Sequence, residues 1–175
     1  MAKRFSRPSA MKKYMGDLKL ETDFDAYYLF CMYGIALDQK RALNSGVSFT
    51  DSFPQPYADS REVISMSVLI ASMLNEQIPT DDSKALRAYF DQVLTKERSP
   101  NPLSDAGVSK MNAFANKGFS EFKKKNPNCP REESTFLLSI FKEIQRTLKK
   151  IKEKTVRTSP KQAKTSQKNS QNALF

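Results

Sequence analysis

Read for the spacing of its apolar positions, the chain divides into helix-length segments separated by breaks rich in Pro, Gly and Asn. Phe24, Tyr27, Tyr28, Cys31 and Ile35 recur at three and four residues, and Leu29 and Met32 widen the stripe. This predicts a strong helix capped by Thr22 or Asp23 and closing near Lys40 and Arg41. Gly34 lies inside it; glycine lowers helix propensity, but its missing side chain lets another helix come close. Asn44 to Asp59 reads as a loop whose aromatics, Phe49, Phe53 and Tyr57, either fold back onto the body, the favoured reading, or present a contact surface. Ser60 or Asp59 then caps a helix to about Gln77. Its apolar residues, Val63, Ile64, Met66, Val68, Leu69, Ile70, Met73 and Leu74, cover most faces, which predicts a central position in the core.

Pro79 ends that helix, and Thr80 is placed to cap a third, lined by Leu86, Tyr89, Phe90, Val93 and Leu94. Ser104 caps a fourth, with Val108, Met111 and Ala115 inward and Gly118 as its C-terminal cap. A short helical piece follows from Phe119 to Lys125. The last and longest helix starts near Pro130 to Ser134 and runs towards Lys154. Phe136, Leu137, Ile140, Phe141, Ile144, Leu148 and Ile151 form its apolar face, and Lys142, Arg146, Lys149, Lys150 and Lys154 lie on the other. No segment alternates as a strand does, and there is no repeat or sustained heptad. The expected fold is all-α: a compact bundle of five or six helices over residues 21–154, between a basic N-terminal arm (1–20) and a disordered basic tail (155–175).

Charge placement sharpens this division. The net charge of +10 splits into +5 over residues 1–20, −3 over 21–141, +4 over 142–154 and +4 over 155–175. Basic ends on a slightly acidic body point to a polyanion partner, DNA or RNA. The candidate contacts are Lys142, Arg146, Lys149, Lys150, Lys154 and Arg157, the run Lys123, Lys124 and Lys125, and Lys3, Arg4 and Arg7 near the start. On a helix, Arg146, Lys149, Lys150 and Lys154 fall in one broad sector, so several could reach one phosphate backbone. No helix-turn-helix pattern supports base-specific reading.

Missing residue types remove most catalytic chemistry. The chain has no histidine, so His-dependent triads and the usual zinc sites have no ligands here. Two cysteines, Cys31 and Cys129, are too few for an all-cysteine zinc site, and no glycine pair has the spacing of a phosphate loop. Asp23 with Asp25, and Asp81 with Asp82, sit where helix caps are expected. Glu121-Phe122-Lys123 after Asp105 loosely matches an acid–x–Lys nuclease pattern, but in a helical context where that pattern belongs on strands. The expectation is therefore no enzyme, no metal and no cofactor. The start of the chain lacks an apolar signal segment, and Val63 to Leu74 falls short of the about 20 residues a bilayer crossing needs. With few cysteines, this makes the cytoplasm the expected compartment, with no membrane role.

The run Phe53-Pro54-x-x-Tyr57-x-Asp59-x-Arg61-Glu62 is followed by an apolar helix, by Leu103-Ser104-Asp105-Ala106-Gly107-Val108 and by Asn112-x-x-Ala115-x-x-Gly118-Phe119. Over residues 24–125 this resembles small uncharacterised bacterial proteins found beside DNA-modification or anti-phage defence genes. The resemblance implies a context, antiviral defence, and no catalytic residue. The expected function is a non-enzymatic accessory subunit that docks on a larger protein and touches nucleic acid without sequence specificity. The alternatives are a protein–protein adaptor or inhibitor, and a metal-dependent nuclease using carboxylates.

Overall fold

The computed structural model describes residues 4–16, 18–96 and 99–158, with backbone alone over 154–158. The elements are β1 (Phe5–Arg7), α1 (Ser9–Met15), α2 (Asp23–Ala36), β2 (Val47–Thr50), a 3-10 helix (Gln55–Ser60), α3 (Arg61–Asn75), α4 (Ser83–Val93), α5 (Asp105–Lys125) and α6 (Glu133–Thr158). The architecture is all-α, with six α-helices and one two-stranded antiparallel sheet among the described residues.

The organising contact is the crossing of α2 and α5. A Cβ on Gly34 would lie 2.1 Å from the Phe114 carbonyl oxygen, and one on Gly118 would lie 1.9 Å from that of Phe30. The two backbones touch where only hydrogen fits. Gly34 thus plays the part its position predicts. Gly118 does not: it lies inside α5, which runs unbroken from Asp105 to Lys125, so the expected cap and separate short helix are one continuous helix. Lys40 and Arg41 lie beyond α2, which ends at Ala36. The reversal after it uses Asp38 at φ 52°, as Gln77 at φ 55° does after α3. Both are left-handed C-terminal positions filled without glycine.

Two apolar clusters pack against this crossing. One joins α2, α3, α4 and α5 through Tyr27, Cys31, Val68, Leu69, Val93, Met111 and Phe114. The other joins α1, α2, α5 and α6 through Met11, Phe30, Tyr33, Phe119, Phe122, Phe136 and Ile140. The loop aromatics do fold back: Phe53 is buried, and Phe49 and Tyr57 pack half-buried on the first cluster.

The N-terminal segment, expected as an arm, is part of the body from Phe5 onward. Phe5 is fully buried, edge-on to Phe24 and Phe53 at 5.5 and 5.2 Å, and Met11 is fully buried as well. β1 pairs with β2 from Phe5↔Thr50 to Arg7↔Val47, with a bulge after Phe5. Asn112 of α5 holds β1 in place: its Oδ1 accepts from Ser6 N (3.0 Å) and its Nδ2 donates to the Arg4 carbonyl (3.1 Å). Strands of three and four residues are too short to display an alternation, which is why the pattern shows none. The C-terminal tail from 159 lies outside the described residues.

α3 also departs from expectation. Ile64, Val68 and Leu69 are buried, but Val63, Met66, Ile70 and Leu74 face outward. At α3's end, Glu76 Oε1 accepts from both Lys40 and Lys110, the latter at 2.6 Å. Partial burial pushes this carboxyl up, but the two ammonium groups outweigh it and bring it to about 2 from the usual 4.5. The folded value lies below the unfolded one, so this carboxylate stabilises the fold above about pH 4.5 and the contribution is lost as pH falls towards 2. Denaturant midpoints followed from pH 5 to pH 2 should fall more steeply for the wild type than for Glu76→Gln. Parallel curves would show that the cluster contributes nothing.

Candidate nucleic-acid interface

The expected basic residues are sorted by the fold into exposed, engaged and buried groups. Arg7 is buried: its guanidinium grips Asp23 with two contacts (2.7 and 2.8 Å) and lies 5.3 Å over the Phe49 ring. This side chain ties β1 to the start of α2 and has no face left for a phosphate, so the Arg7 assignment is corrected. The same pair holds the Asp23 carboxyl low, chiefly through the Arg7 hydrogen bonds. Asp25 accepts from Thr22 N (2.6 Å) and from Tyr57 Oη (2.5 Å), closing the first turn of α2. Arg4 is exposed. Lys3 lies outside the described residues, and Lys154 and Arg157 fall where only backbone is described.

Lys142, Arg146, Lys149 and Lys150 are exposed on α6, as their spacing predicts. Lys123, Lys124 and Lys125 are exposed on the last turn of α5, where cations also complement the carbonyl end of the helix. Lys125 joins the two groups. Its Nζ donates to Glu143 Oε2 (2.5 Å) and Tyr33 Oη (2.7 Å), and Arg146 Nη1 donates to Glu143 Oε1 (2.7 Å). Burial raises the Glu143 carboxyl, but Lys125 and Arg146 outweigh it and hold it low. Lys125 and Arg146 therefore share one carboxylate, and Lys125 acts mainly as a tie between α5 and α6.

A cleft of about 780 Å³ opens between the end of α1, the end of α5 and the turn over 127–131. Among the described residues Lys13, Lys123 and Arg131 line it, with Tyr14, Asn128 and Cys129. Tyr14 Oη donates to the Asn126 carbonyl (2.6 Å), which fixes α1 against the end of α5. Lys123 Nζ lies 6.0 Å from the Tyr14 and Phe119 ring centroids. At that distance the two ring faces attract the ammonium and help to hold it at the cleft. Burial raises the Cys129 thiol, so it lines the cleft as a neutral group. Lys13 and Arg131 were not among the residues singled out from sequence. They are far apart along the chain, and only the packing of α1 on α5 brings them to one cleft.

The carboxylates do not gather in the same way. Asp105 opens α5 and Glu121 lies near its end, about 24 Å along one helix at 1.5 Å per residue. Glu121 is paired with Lys117 at 2.9 Å, and Asp82 caps α4 by accepting from Lys84 N and Ala85 N. The acid–x–Lys run therefore forms no joint site with Asp105. No helix among the described residues is long and apolar enough to cross a membrane. Compared with protein-family models, with curated proteins and with solved structures, the chain has no match in any of the three.

Proposed function

We propose that this chain is a non-enzymatic accessory subunit of a larger, cytoplasmic complex that contacts DNA or RNA without sequence specificity. The observation that carries the reading is the basic end of the molecule. Lys13, Lys123 and Arg131 line one cleft at the end of α5, and Lys125 of the same turn meets Arg146 of α6 across Glu143. Such an arrangement places cations at several points along a phosphate backbone and offers no shaped base-reading element. The resemblance over residues 24–125 would place such a subunit beside DNA-modifying enzymes.

Salt dependence tests this directly. Binding to a duplex, followed by fluorescence anisotropy, should weaken linearly on a log–log plot, with about −0.9 in slope for each phosphate neutralised. Replacing Lys13, Lys123 and Arg131 with Gln should lower affinity for all sequences alike and flatten the slope by about 2 to 3. Replacing Arg146, Lys149, Lys150 and Lys154 should act in the same direction. No binding at low salt, alone or with a native partner, would end the reading. The adaptor reading has an observation of its own, the outward apolar residues of α3, and would then take precedence.

A further inference from the structure

Two helices carry apolar stripes that nothing in the described fold covers. On α3, Val63, Met66, Ile70 and Leu74 are 69%, 40%, 48% and 61% exposed. At 100° per residue they fall within about 80° of one another and span about 16 Å. The helix carries no charge from Val63 to Asn75, so no ion pair keeps this face in water. On α6, Leu138, Phe141 and Leu148 are 54%, 51% and 45% exposed. They too lie within about 80° and span about 15 Å. α6 outruns its support: Phe136 and Ile140 are fully buried, but past Ile144 it has no buried residue up to Glu153.

The rims of the two stripes are opposite in sign. Residues 59–82 carry five acids and one base, a net −4, with Asp59 and Glu62 before the α3 stripe and Asp81 and Asp82 after it. Residues 138–153 carry five bases and two acids, a net +3, with Lys142, Lys149 and Lys152 beside the α6 stripe. Pairing α3 with α3, or α6 with α6, would bring like charges together, which disfavours both symmetric arrangements. Pairing α3 with α6 matches length, apolar face and charge. α6 packs on α2 and leads away from it as one continuous helix, so it does not lie along its own α3.

We infer that α6 of one copy of this chain lies along α3 of a second copy, head to tail. Such a head-to-tail contact generates rings where its rotation closes and open chains of subunits where it does not. Arg146 and Lys150 stand on a different side of α6 from Leu148 and stay open to nucleic acid, whereas Lys142 and Lys149 would face the second copy; neither proposal rests on the other.

Analytical ultracentrifugation of the full chain without nucleic acid tests it. The wild type should rise in weight-average mass with concentration, past that of a dimer. Ile70→Glu and Leu148→Glu, both at exposed positions, should each stay at the 19.9 kDa monomer with unchanged circular dichroism and melting temperature. An equimolar mixture of the two should stop at the dimer, because one variant keeps a sound α6 and the other a sound α3. A wild type that stays monomeric into the millimolar range overturns the inference. So does a Leu148→Glu variant that associates as the wild type does, or a mixture that stays monomeric.

Discussion

Gly118→Ala is expected to destabilise the fold by about 3 kcal/mol or more, although alanine is the better helix former by about 1 kcal/mol. The added Cβ would stand 1.9 Å from the Phe30 carbonyl oxygen and 2.9 Å from Gly34 N. Both are backbone atoms, so no side chain can swing aside; α2 and α5 would have to separate. That separation loosens both apolar clusters, because each is built across these two helices. Gly34→Ala should act the same way, 2.1 Å from the Phe114 carbonyl oxygen, and the double variant should cost less than the sum, since one separation relieves both clashes. Urea unfolding read by circular dichroism measures each. A neutral or stabilising Gly118→Ala would mean that α5 ends near 118 and that the crossing lies elsewhere.

Phe30→Ala should cost about 3–5 kcal/mol. Phe30 is fully buried and meets three rings, Phe119 at 5.4 Å, Phe122 at 5.6 Å and Phe136 at 5.9 Å. Those rings come from α5 and α6, so the cavity would open where three helices join, and aromatic pairing would be lost with the buried area. Phe141→Ala is the matched control: half-exposed on α6, it should change stability by less than about 1 kcal/mol. Equal losses at the two positions would show that the inward face of α6 is misassigned.

The contrast between Phe30 and Phe141 marks how far periodicity carries. Spacing placed Phe141 on the apolar face of its helix and left Phe30 out of the stripe read for α2, yet Phe30 is the one fully buried. What spacing does not contain is where the neighbouring helix stops. α6 is longer than the body it packs on, so Phe136 and Ile140 are fully buried while Leu148 stays about half exposed. The same holds for α3: its abundance of apolar residues reads as central burial, yet only the side towards α5 is covered, and Val63 and Leu74 remain in solvent. The arm at 1–20 misled for a different reason. Its cations dominate the local composition, but Phe5 and Met11 supply the buried anchors, and Arg7 finds Asp23 sixteen residues on.

By itself the sequence determined the helical class, the order of the helices, the absence of histidine chemistry and the uneven distribution of charge. These follow from local spacing, propensity and residue type, which need no knowledge of what lies opposite. Only the tertiary structure decided that α5 is one helix with Gly118 at a crossing, that residues 5–15 belong to the body, and that Lys13, Lys123 and Arg131 share one cleft. It also decided which apolar stripes remain on the surface. Each of these depends on contacts between residues distant along the chain, and such contacts leave no periodic signal because either partner alone reads as an ordinary residue of its own helix.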